Sequence, residues 1–107
     1  MAQVIFFNSE LKQAFDGLAK EDSTKKALNK ALEDIEKDSQ IGRPMTKNTY
    51  KKKGIKRFMQ KYSVNNIRIY NLPSAWRLLY SVSSDEIGII AIVLDWIDHK
   101  DYEKLLK

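Results

Sequence analysis

Apolar positions follow several rhythms along this chain. Val4–Phe7 is a short unbroken apolar run, long enough for one strand. Asn8 or Ser9 can cap a helix in which Leu11, Ala14, Phe15 and Leu18 recur at helical spacing. Asp22 or Ser23 opens a second stripe of Ala27, Leu28, Ala31, Leu32 and Ile35, which Gly42 and Pro44 close. Joined by a short link, the two helices predict an αα-hairpin.

The next segment, KNTYKKKGIKRFMQKY (47–62), mixes charge with apolar bulk. Ile55, Phe58, Met59 and Tyr62 fall at i, i+3, i+4 and i+7, one stripe of a short helix. Lys53, Lys56, Arg57, Gln60 and Lys61 take the other side. Such a helix docks by its apolar face and presents cations to solvent.

Three strand patterns come next. Ile67–Leu72 ends at Pro73. Trp76–Val82 alternates, with Trp76, Leu78, Tyr80 and Val82 on one face and Arg77, Leu79 and Ser81 on the other. Ile87–Ile97 is nearly all apolar, the pattern of a central strand covered on both faces. Reading Ser83–Glu86 as the turn pairs Arg77 with Ile92, so the chain must fold back after Trp96 for the tail to approach Arg77. The last ten residues, DHKDYEKLLK, read as a short helix or tail. The expected fold is a small single α+β domain over residues 1–107. An N-terminal strand and αα-hairpin pack on an antiparallel sheet, with a short basic helix before the last three strands.

Charge sharpens this picture. Net charge is +5, yet Ser39–Ser84 holds ten basic residues and no acid, so the whole excess lies mid-chain. Such asymmetry favours a polyanionic partner. The absence of cysteine leaves neither disulfides nor thiolate metal sites, and fits a reducing compartment. No apolar run approaches the length of a membrane span, and the N-terminus lacks a signal-peptide pattern, so a cytoplasmic location is expected.

Few residues offer chemistry. No glycine-rich phosphate loop or dinucleotide fingerprint occurs. Asp95, Asp98 and Asp101 are spaced as a polar edge, and no metal site is expected from them. Arg77 sits inside an apolar strand, where it must meet an anion, pair with Glu86 or Asp95, or keep its head in water. His99 is the only imidazole, and Tyr102 would share its helical face. Both also fit plain packing or surface roles.

The order of these elements, the WRLLY strand, the apolar last strand and the DHKDYEK tail resemble the RelE/ParE superfamily of toxin–antitoxin toxins, most strongly over residues 67–106. The resemblance implies a metal-independent, cofactor-free, ribosome-dependent mRNA endonuclease. In that chemistry the RNA 2′-hydroxyl attacks the adjacent phosphate and leaves a cyclic phosphate. By the same resemblance Arg77 stabilises charge at the phosphate, His99 moves a proton, and Tyr102 stacks on a base or relays a proton. Lys52, Lys53, Lys56, Arg57, Lys61 and Lys100 are the implied RNA-binding cations, with Tyr50, Phe58 or Tyr62 as stacking partners. The implied partners are the ribosome, its mRNA and an acidic antitoxin protein, with no membrane. Two alternatives stay open: a ParE-like toxin that inhibits DNA gyrase without cutting, and a non-catalytic RNA-binding relative.

Overall fold

Capping decides where the first two helices begin. The side chain of Asn8 accepts the Leu11 N–H at 2.9 Å and starts α1 (Ser9–Asp16). Asp22 accepts the Thr24 N–H at 2.7 Å and starts α2 (Ser23–Lys37). These caps satisfy N–H groups that have no partner within the helix. Phe15, Leu28, Ala31 and Ile35 are the residues these helices bury. The α2 helix ends at Lys37, short of Gly42 and Pro44, because Arg43–Pro44 joins the sheet as a two-residue strand, β2.

The structure, a computed structural model, describes all 107 residues. Its sheet contains β1 (Gln3–Phe6), β2, β3 (Arg68–Asn71), β4 (Arg77–Ser84) and β5 (Ile89–Ile97), in the order β1-β5-β4-β3-β2. The β2–β3, β3–β4 and β4–β5 pairs are antiparallel, whereas β1 runs parallel to β5. The sheet is therefore mixed rather than antiparallel. Alternation within a strand tells which face each residue takes; it carries no information about the neighbour's direction.

Both faces are covered. Leu78, Tyr80, Ala91 and Val93 pack under α1 and α2. Leu79, Leu94 and Ile97 pack on the opposite face, under the basic segment and the C-terminal helix. The basic segment forms two helices, α3 (Lys47–Tyr50) and α4 (Lys53–Tyr62), and α4 buries Ile55, Phe58 and Tyr62 as its spacing predicts. The tail forms α5 (His99–Leu105) and buries Tyr102. No helix is long and apolar enough to cross a membrane.

Two buried contacts hold the layers in place. Tyr80, fully buried, donates its hydroxyl to the Ser39 carbonyl at 2.8 Å and accepts the Gly42 N–H at 2.9 Å. This clamps the chain leaving α2 across the sheet. At the other face Gly54 lies against the end of α5, and its N–H donates to the Lys107 carbonyl at 3.2 Å. A Cβ on Gly54 would come within 2.9 Å of both the Cα and the carbonyl carbon of Leu105.

That approach sets how closely the basic helix docks beside α5. Gly54→Ala should cost about 1–3 kcal/mol through overpacking against backbone, although helix propensity alone favours Ala by about 1 kcal/mol. A lower Tm is the expected readout. A raised Tm would mean that α5 yields easily and does not fix α4.

Candidate functional site

Registration of β4 on β5 brings Arg77 to the start of α5. The turn lies at Asp85–Gly88, where Asp85 accepts the Ile87 and Gly88 N–H groups at 2.8 and 3.0 Å. The ladder runs from Ser84↔Ile89 to Tyr80↔Val93, then shifts by one residue at Leu79↔Asp95. Arg77 consequently pairs with Ile97, not with Ile92. A turn centred two residues later moves its partner by four, and the bulge adds one. The strand ends beside Arg77, and α5 begins two residues further on.

From there α5 folds back over the sheet. Tyr102, 8 % exposed, places its ring 4.6 Å from the guanidinium carbon of Arg77. Such a stack is attractive and fixes the plane of the cation. One Nη1–H of Arg77 donates to the Ala75 carbonyl at 3.2 Å, while its buried Nε has no partner. Arg77 makes no ion pair, so neither Glu86 nor Asp95 neutralises it. The Ala75 carbonyl is aimed by an unusual turn, with Ser74 and Ala75 at φ 61° and 64°. Left-handed backbone costs a non-glycine residue roughly 1–2 kcal/mol.

His99 opens α5 and remains about half exposed, its Nε2 lying 2.7 Å from Glu103 Oε1. A neutral imidazole that donates from Nε2 presents Nδ1 as an acceptor. The two aspartates around His99 already have partners. Asp98 caps α5 by accepting the Asp101 N–H at 2.8 Å, and Asp101 lies 3.7 Å from Lys104 Nζ.

Lys52, Lys53, Lys56, Arg57, Lys61 and Lys100 are all exposed. None of the ten basic residues between Ser39 and Ser84 forms an ion pair; Arg68 instead donates to the Gly42 and Gln40 carbonyls at 2.8 and 2.9 Å. The aromatic residues of this segment serve the fold. Tyr50 donates to the Ile67 carbonyl at 3.3 Å and accepts its N–H at 3.0 Å. Tyr62 sits 4.6 Å from Phe58 and 4.7 Å, edge-on, from Phe7. Free stacking platforms at Tyr50, Phe58 and Tyr62 are therefore not what this surface offers.

Asp95 was read from the sequence only as part of a polar edge or as an ion-pair partner for Arg77. The bulge sets it opposite Leu79, on the same face as α4 and α5. There it lines a cavity of about 240 Å³ with Phe58, Lys61, Tyr62 and Asp101. A neighbouring hollow of about 290 Å³ shares Asp95, Lys61 and Tyr62 and reaches Glu10 of α1. Burial lifts its pKa above the usual carboxylate value of 3.8, helped by nearby Asp101 and opposed by the Trp96 N–H and Lys61. The same burial, with Asp95 beside it, raises Tyr62. The visible signal was one carboxylate interrupting an otherwise apolar strand. The largest hollow, about 600 Å³ between Ser63–Asn66 and Ser81–Ser84, is lined by no charged residue and lies apart from these groups.

The raised pKa gives a stability test. A folded-state pKa above the unfolded one means that the proton favours the fold. That contribution is full below the ordinary carboxylate pKa and is lost as pH rises through the raised value. At neutral pH the ionised Asp95 is therefore a cost. Asp95→Asn keeps an oxygen for the Trp96 N–H, which now reaches Oδ1 at 2.9 Å. It should raise Tm at pH 7, with the gain shrinking toward pH 3. An equal or lower Tm at pH 7 would mean that the carboxylate is already compensated.

Compared with protein-family models, curated proteins and solved structures, the chain matches none.

Proposed function

We propose that this chain is a toxin of the RelE/ParE superfamily that cuts mRNA on the ribosome without a metal. The observation that carries the reading is Arg77. It is held between the Tyr102 ring and the Ala75 carbonyl, with a buried Nε that nothing in the protein satisfies. Buried donors almost always have partners, so one left open on a cation invites an anion. The turn at Ser74–Ala75 aims the carbonyl that this guanidinium bonds.

The proposed chemistry uses the substrate's own 2′-hydroxyl as nucleophile. His99, oriented by Glu103, takes the 2′-OH proton at Nδ1. The 2′-oxygen then attacks phosphorus, the P–O5′ bond breaks, the departing 5′-oxygen takes a proton from solvent water, and a 2′,3′-cyclic phosphate and a 5′-hydroxyl result. Arg77 supports the negative charge that builds on the phosphoryl oxygens. Tyr102 positions Arg77 through its ring. The unpaired cations of α4, with Lys100 on α5, supply RNA affinity. An acidic antitoxin protein would cover the same surface in the resting cell, and a ribosomal target implies a cytoplasmic site of action.

Single-turnover cleavage of message on programmed ribosomes tests the reading. Arg77→Ala should slow cutting about 10²–10³-fold, the loss typical of one oriented charge stabiliser. His99→Ala should slow it about 10²–10⁴-fold. Neither should change ribosome binding, and a 2′-deoxy nucleotide at the scissile position should abolish cutting. Wild-type protein that arrests replication while leaving message intact would favour the gyrase-directed alternative; no arrest and no cutting would leave a binding module.

The affinity of the basic face is separately measurable. Ribosome or RNA binding should fall steeply with salt, and Lys56→Ala/Arg57→Ala should reduce the log–log slope by about 2. A slope unaffected by the double substitution would place the phosphate contacts elsewhere.

A further inference from the structure

The cavity between α4 and α5 sets the carboxylates of Asp95 and Asp101, one ammonium and an apolar wall around a single space. Asp95 is turned into it by the bulge, Lys61 stands on its rim, and Phe58 and Tyr62 supply apolar wall. Lys61 and Asp95 line one space without closing into an ion pair. An open gap between a carboxylate and an ammonium can hold a flat group carrying donors on one side and an acceptor on the other. The cavity, about 240 Å³, falls below the roughly 300 Å³ at which sites for drug-sized molecules begin. It suits one planar ring system.

We infer that this cavity is a guanine-binding pocket, in which Asp95 accepts from the base's N1–H and N2–H groups and Lys61 donates to O6. Among the four RNA bases the pattern is selective. Guanine alone offers two adjacent donors on its Watson–Crick edge, next to a carbonyl acceptor. Adenine and cytosine each turn a ring-nitrogen acceptor toward the carboxylate. Uracil has one N–H between two carbonyls. Bases recognised singly are splayed from the strand and bonded on that edge, against apolar or aromatic side chains. The pocket opens beside the exposed cations of α4, where the backbone of a bound strand would run. Asp95 also shares a sheet face with Arg77, one register step away on the neighbouring strand, about 7–8 Å for a diagonal pair. A base held at Asp95 would therefore lie close to a phosphate held at Arg77.

This inference rests on reading the basic face as an RNA surface, and its test does not depend on cleavage. Free protein is titrated with GMP and with AMP while the amide resonances of Lys61, Asp95 and Asp101 are followed. GMP should shift these resonances at concentrations where AMP does not. Asp95→Asn, shown to be folded by the same spectrum, should lose the preference by about tenfold to a hundredfold, the discrimination carried by one bidentate pair. Lys61→Ala should weaken GMP and leave AMP unchanged. Equal responses to the two nucleotides, no response at these residues, or a preference that survives in Asp95→Asn overturns the pocket. Message cutting by wild-type protein that shows no GMP preference sinks the pocket alone. Selective GMP binding by a protein that cuts nothing supports the pocket and removes the endonuclease reading instead.

Discussion

The pairing of β4 with β5, from Ser84↔Ile89 to Arg77↔Ile97, fixes what every other element can reach. Its end sets where the chain leaves the sheet, so α5 starts beside Arg77 and can lay Tyr102 on the guanidinium. Its irregularity at Leu79/Tyr80 puts Leu94 and Asp95 together on the α4/α5 side. The α4 helix is then positioned twice, by its buried Ile55, Phe58 and Tyr62 against the sheet and by Gly54 against the end of α5. A cationic helix docked this tightly presents its charges as a fixed array, which lowers the ordering cost of meeting a polyanion.

Much of this was legible in the residues. The caps at Asn8 and Asp22, the stripe of α4, the faces of β4 and the two-sided burial of β5 all reflect spacing and side-chain chemistry. Local pattern is a strong guide where one face of an element is buried, because a slip would expose the whole set. The parallel placement of β1 was not legible, since it depends on how the chain returns after the αα-hairpin. Nor was β2, two residues long with both side chains exposed.

The site was half legible for the same reason. Arg77 stood out as a charge in an apolar strand, and Tyr102 and His99 fell at helical spacing. The meeting of Arg77 with Tyr102 required the true turn. Asp85 defines that turn by accepting two N–H groups, a contact that no residue-by-residue propensity registers. The surplus residue in β5 was invisible because Asp95 and Trp96 alternate in plausible fashion whether or not a bulge precedes them. Two non-glycine residues in the left-handed region, Ser74 and Ala75, were likewise hidden. Their conformation is imposed by the Leu72 N–H donating to the Trp76 carbonyl at 2.8 Å, a contact across the turn rather than a preference of either residue.

The surplus residue acts on the strand as a frameshift acts on a reading frame. Upstream of it, even and odd positions of β5 address one pair of layers; downstream the assignment is inverted. Removing any one residue between Leu94 and Ile97 would restore regular alternation and keep almost the same composition. The residues beyond would nevertheless keep their partners on β4, with Ile97 still opposite Arg77, so α5 would still start on the side of the basic helix. What the surplus residue adds is the placement of two consecutive side chains, Leu94 and Asp95, on one layer, which no regularly alternating strand can do.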